Sequence, residues 1–253
     1  MFYDSHAHMD LIDAAELSNK LKDSKDAGVL KIISCSTSFA SNTKNILLAQ
    51  NYAQIKAALG LYPLDILELT QLEIDKAFYF FNAEIIKPEI IAIGEVGLDF
   101  KYSAKEAEQE KQKIVFERFI KFSNEHKKPL IIHSRFAQRQ VIEELEKHKA
   151  EKALLHSFTD SLKLMNRAKN NNYFVSVGLN ILYNEEVQKN ISNFPIENLL
   201  FETDSPIRTQ GKKAYSSSIL KIAQKTAELK NISIKDVEKQ QGKNFIKLFG
   251  KTN

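Results

Sequence analysis

Residues 129–158, PLIIHSRFAQRQVIEELEKHKAEKALLHSF, decide the architecture. An apolar run of strand length ends on His133, and residues 137–148 then place Val141, Ile142 and Leu145 on one helical face with charges on the other. A second apolar run ends on His156. Runs this apolar suit parallel strands buried on both faces, and the helix between them is the crossover that joins such strands.

The same unit recurs on either side. FYDSH from Phe2, LKIIS from Leu30, IKAAL from Ile55 and IIAIGEV from Ile90 precede it, while YFVSVG from Tyr173 and NLLFETD from Asn198 follow. Residues 13–27, 106–126 and 160–171 show helical spacing between them. Eight strand–helix units in 253 residues predict an α/β fold of the TIM-like (β/α)8 barrel kind, one domain over residues 1–253, with an open doubly wound sheet as the alternative. Residues 64–87 read as one broken helix or two, the helix after Gly178 reads as short, and the charged residues 101–113 read as the solvated face of a long helix.

Composition excludes several classes. With 43% apolar and 27% charged residues, disorder, collagen-like repeats and coiled coil are poor descriptions. The net charge of +4 permits an anionic substrate without requiring one. Cys35, the one cysteine, can form neither an internal disulfide nor a thiolate metal site and reads as a small apolar filler, so a cytoplasmic protein, a monomer or weak oligomer, is expected. Residues 1–11 lack the apolar core of a signal peptide, and no window approaches 18 unbroken apolar residues, so no membrane partner is expected.

Metal-ligating residue types fall at comparable places along the units: His6 and His8, Glu95, His133, His156 and Asp204. In a barrel those strand ends share one rim. His6 and His8, two apart on an extended strand, point to the same side and can grip one cation. Glu95 sits in an otherwise apolar run, where an ionised carboxylate needs a cation or an ion-pair partner. Each residue also has a plainer reading: structural histidines, a Glu95 salt bridge, a helix-capping or turn Asp204. Six ligands exceed what one cation takes while keeping an open position, so two divalent cations bridged by Glu95 is the economical count, with Asp204 able to accept the proton of an attacking water. Arg135 points the same way as His133 and offers a planar fork for phosphate. His126 and His148 close amphipathic helices and need no further role.

Asp4-x-His6-x-His8, Gly94-Glu95-x-Gly97-Leu98-Asp99, Pro129-x-x-x-His133-x-Arg135, His156-x-Phe158 and Glu202-Thr203-Asp204-Ser205-Pro206 together resemble the TatD family of metal-dependent hydrolases, within the amidohydrolase-like barrels. The resemblance covers essentially the whole chain. It implies one cation held by His6, His8, Glu95 and Asp204 and another by Glu95, His133 and His156. It further implies deoxyribonuclease activity, often 3′ to 5′ on single-stranded DNA with Mg²⁺, or in some relatives deacylation of D-aminoacyl-tRNA. On ligand softness an imidazole-rich, carboxylate-bridged site suits Zn²⁺, Mn²⁺ or Fe²⁺ instead. Two positions depart from the family: Tyr62 stands where a histidine is usual, and the loop after Pro206 keeps Arg208, Gly211, Lys212 and Lys213 but not the usual pattern. Arg135, Tyr62 and Lys212 are the substrate-contact candidates, with Phe100, Tyr102 and Phe158 as further stacking candidates. A small ester or amide hydrolase and a catalytically silent nucleic-acid-binding barrel are the competing functions.

Overall fold

The computed structural model describes residues 1–159 and 161–251. Eight parallel strands follow one another in sequence order around a barrel: β1 (Phe2–Ala7), β2 (Val29–Cys35), β3 (Ile55–Leu59), β4 (Ile90–Asp99), β5 (Leu130–Arg135), β6 (Ala153–Leu155), β7 (Phe174–Val177) and β8 (Leu199–Phe201). The ring closes just past β8. Ala7 bridges Ser205 in parallel, and the Asp204 and His8 amides donate to the His6 and Ser205 carbonyls. The barrel reading therefore holds and the open sheet does not.

Helices α1 (Ala14–Asp26), α2 (Phe39–Asn51), α3 (Asp65–Glu68), α4 (Gln71–Glu84), α5 (Glu106–His126), α6 (Gln138–Lys147), α7 (Leu162–Asn170), α8 (Glu185–Asn193), α9 (Ile219–Lys230) and α10 (Ile234–Phe249) surround the strands. Their starts follow ordinary capping chemistry: the side chains of Asp13, Ser38, Thr70, Ser161, Asn184 and Ser233 each accept a first-turn amide. Residues 64–87 form two helices, because Thr70 and Glu73 close a capping box that restarts the chain at Gln71. The helix expected over 160–171 is α7 with Ser161 as its cap, and Asp160 lies outside the described residues. The segment 101–113 is not simply a solvated helix face. Its helix begins at Glu106, and Gln112 is buried, bonding Asp99 and Ser103. A two-stranded hairpin, β9 (Arg208–Thr209) with β10 (Lys212–Lys213), follows β8. No helix among the described residues is long and apolar enough to cross a membrane.

Inside the barrel the strand period of two builds layers. Ile33, Cys35, Ala58, Ile91, Ile131, Leu154, Phe174 and Leu200 form an apolar lower layer, where Cys35 is the expected filler. Phe245, Leu248 and Phe249 of α10 join this cluster, Tyr3 stacks on Phe245 at 4.1 Å, and Asn244 and Gln241 bond the Leu199 carbonyl, so α10 stoppers the N-terminal end. Two residues further along the same strands, Ile131 gives way to His133, Leu154 to His156 and Leu200 to Glu202. The apolar layer thus becomes a polar one at the C-terminal end, where (β/α)8 enzymes carry their chemistry.

Candidate metal centre

The polar layer surrounds a single carboxylate. Glu95, in the middle of β4, is buried, and its two oxygens face different partners. Oε2 lies 3.7 Å from His6 Nε2 and 3.3 Å from His8 Nε2. Asp204 Oδ1 meets the same two nitrogens at 3.3 Å each, and the nitrogens themselves are 3.2 Å apart. Oε1 lies 2.8 Å from His133 Nδ1 and 3.2 Å from His156 Nε2, with those nitrogens 3.3 Å apart. The six residues proposed as ligands are thus brought together from β1, β4, β5 and the segments just past β1, β6 and β8.

These groups fit divalent cations. Each pair of ring nitrogens, 3.2 and 3.3 Å apart, crowds around shared carboxylate oxygens, and a tetrahedral ion about 2.1 Å from each ligand sets ligand spacings of roughly 3.4 Å. The outer ring atoms are held as metal-bound imidazoles usually are. His8 Nδ1 meets the Cys35 carbonyl at 3.0 Å, His133 Nε2 faces Asp99 Oδ2 at 3.3 Å, and His156 Nδ1 faces Glu202 Oε1 at 3.4 Å. Without cations the cluster gathers protons instead. Burial opposes the His8 imidazolium, but Asp204 and Glu95 outweigh it and push His8 up to about 10. His156 is likewise raised against its burial by Glu202 and Glu95. Burial favours neutral Glu95 and Asp204, yet the surrounding histidines hold both below the carboxylate range. His6, the most deeply enclosed, is lowered by burial and by His156.

Close strand approach is part of the geometry. Gly97 pairs with His133 in the β4–β5 register, and a Cβ there would collide with the His133 carbonyl at a φ of +136°. Gly60 leaves room for the Glu95 backbone in the same way.

Above the cluster a cavity of about 380 Å³ opens, lined by Tyr62, Asp65, Arg135 and Ile207 together with five of the six ligand candidates. Asp204 is the accessible carboxylate, its side chain 36% exposed against 4% for Glu95. Arg135 is less free than its sequence position suggests. Its Nε and Nη2 bond Asp99 Oδ2 at 2.9 and 2.6 Å, and the guanidinium lies 4.8 Å from the Tyr102 ring centre. The Tyr62 hydroxyl donates to the same Asp99 oxygen at 3.0 Å and lies 3.2 Å from His133 Nε2. Lys212 is exposed on the β9–β10 hairpin and, among the described residues, does not line the cavity. Phe158 is buried in the core and Phe100 packs partly against it, whereas Tyr102 stays 62% exposed.

Sequence reasoning gave no role to Asp99, Glu202, Asp65 or Phe136. Phe136, next to Arg135, is 70% exposed at a φ of 58°, a backbone state that bulky residues rarely adopt. Asp99 was visible as a second acidic residue in an apolar strand, the signal that singled out Glu95.

A family model described as TatD related DNase matches residues 3–250. The chain belongs to the TatD family. It is therefore a metal-dependent hydrolase, and relatives agree across their full lengths. A metal-dependent hydrolase from Haemophilus influenzae is 31% identical, covering 95% of this chain and 96% of that protein. Human deoxyribonuclease TATDN3 is 29% identical, covering 98% and 94%. Among solved structures, YJJV, a TatD homologue from Escherichia coli K12, superposes with a TM-score of 0.90 at 25% identity, covering 99% of this chain and 98% of that one.

Proposed function

We propose that this TatD-family protein is a two-metal phosphodiesterase that removes nucleotides from the 3′ end of single-stranded DNA. The observation that carries the count is the division of Glu95 between two nitrogen pairs, His6 with His8 on Oε2 and His133 with His156 on Oε1. His6, His8, Asp204 and Glu95 would hold one cation, and Glu95, His133 and His156 the other. Bound there, the cations would supply an acidified water and stabilise charge on the phosphoryl oxygens. Asp204 takes the proton from the attacking water, because it is ionised and is the more exposed of the two acidic ligand candidates that line the cavity. Arg135 meets phosphate through Nη1, the guanidinium nitrogen not used on Asp99 or Tyr62. Tyr62 borders the same cavity, and Lys212 meets only a strand long enough to pass over the hairpin.

The test is hydrolysis of 3′- and 5′-labelled oligonucleotides by metal-stripped protein with Mg²⁺, Mn²⁺ or Zn²⁺ restored, alongside Glu95→Ala. Metal-restored loss of the 3′ label first, absent in the variant, is the expected result. No cleavage by protein that binds two equivalents of metal would sink the nuclease reading. Hydrolysis of a D-aminoacyl-tRNA by that same protein would put the ester hydrolase in its place.

A further inference from the structure

A second cavity of about 320 Å³ lies beside the first, and Asp65 lines both. Its floor is apolar, built from Leu61 just past β3 and Leu69 and Ala77 around α4, with Phe39 at the start of α2 forming one side. Phe39 is 52% exposed, and its ring is held against Phe80 at a centroid distance of 5.0 Å. At the edge stand Asp65 and Lys76, neither tied up in a hydrogen bond or ion pair with another described residue. Burial, and then the charge of Glu95, raise the Asp65 carboxyl.

We infer that this cavity is a base pocket, holding against Phe39 the nucleobase of a nucleotide adjoining the scissile phosphodiester. The inference rests on the phosphodiesterase reading above. The volume sits at the low end of the ~300–1,000 Å³ of small-molecule sites, room for one ring system rather than several. A base has two apolar faces and a polar edge. The aliphatic floor and Phe39 suit the faces, while the Asp65 carboxylate can accept from an exocyclic amine and the Lys76 ammonium can donate to a ring nitrogen or carbonyl. An aminoacyl ester would bring an aliphatic side chain to the floor and an α-ammonium to Asp65, but that side chain offers no acceptor to Lys76. Because Asp65 is common to both cavities, a nucleotide whose phosphate enters the metal centre has its base delivered to this opening.

The experiment is a cycle on the metal-loaded protein: wild type and Phe39→Ala, each on a single strand with normal bases and on strands with one abasic site scanned over the last three 3′ positions. Wild type should lose between about 5-fold and 150-fold in kcat/KM at one abasic position, the range of a single base–aromatic contact. In Phe39→Ala that difference should vanish, and Phe39→Tyr should restore it. Phe39 is half-exposed, and an unchanged melting temperature and metal content exclude a folding effect. Losses that simply add would overturn the base pocket and leave the nuclease reading standing. A wild type that cleaves no strand overturns both. Impairment of D-aminoacyl-ester hydrolysis by Phe39→Ala, with DNA cleavage intact, would reassign the pocket to an amino-acid side chain.

Discussion

Replacing Asp99 by Asn tests the outer support of the metal centre without touching a proposed ligand. One oxygen of Asp99 accepts two bonds from Arg135, at 2.9 and 2.6 Å, and one from Tyr62 at 3.0 Å, and faces His133 Nε2 at 3.3 Å. Hydrogen bonds to charged groups contribute roughly 1.5–3 kcal/mol each, but Arg135 is 37% exposed and its pairing is screened accordingly. A loss of about 2–3 kcal/mol follows. For a chain of this size that lowers the melting temperature by roughly 4–12 °C in metal-free protein. The second effect is specific to the site. An asparagine amide turned toward His133 Nε2 donates where the carboxylate accepted, moving the ring proton to Nδ1, the atom that faces Glu95. Affinity for the metal on the His133 side should fall about 10- to 100-fold, and calorimetric titration with Mn²⁺ or Zn²⁺ measures it. Histidine 133, Arg135 and Tyr62 together hold the Asp99 carboxyl below its ordinary range against its burial. Its stabilisation is therefore complete above about pH 4 and is lost as the pH falls further, so the melting-temperature gap should narrow in acid. A variant that binds two equivalents of metal with wild-type affinity would refute the assignment of Asp99 as the group that sets the His133 tautomer.

Four further outcomes follow from the geometry. Metal binding should release protons and strengthen from pH 6 to pH 9, since His8, at about 10, is an imidazolium in metal-free protein; calorimetry in buffers of different ionisation heat reads the release. In that metal-free protein the His8 contribution is complete below pH ~6.5 and is lost as pH rises toward 10, so its melting temperature should drift down over that range. Gly97→Ala, colliding with the His133 carbonyl, should cost about 3 kcal/mol or more, and a circular-dichroism melt within 2 °C of wild type would contradict the β4–β5 register. Phe136→Gly should leave the melting temperature unchanged or raise it, because glycine relieves about 1 kcal/mol of left-handed strain and the exposed ring contributes little packing; a clear drop would show the ring packed.

The strands and the ligand candidates were legible because both depend on local pattern. Apolar runs of strand length separated by helical spacing name a parallel barrel, and the period of two then carries His133, His156 and Asp204 to one end whatever the helices do. The Asp99–Arg135 pair was not legible. Those residues are cross-strand partners 36 positions apart, and only the shifted register of β4 against β5 sets them side by side. Read alone, Arg135 is a free cation; read in register, it is already half engaged. Glu202 was hidden for a related reason, since its partners, Ser176 on β7 and His156 just past β6, are brought beside it only by the closed barrel. For 64–87, read as one broken helix or two, Thr70-Gln71-Leu72-Glu73 is the local signal that decides for two, a capping box at the junction. Lys212 shows the opposite limit: chain proximity to Asp204 did not place it in the cavity, because the hairpin carries it outward.

The closure of β1 against the segment after β8 also orders events during synthesis. His6 and His8 leave the ribosome about 200 residues ahead of Asp204, their common partner, an interval of some 10–40 s at ordinary elongation rates. The α10 stopper follows later still. A chain synthesised only as far as β7 therefore owns loose histidines but no assembled centre.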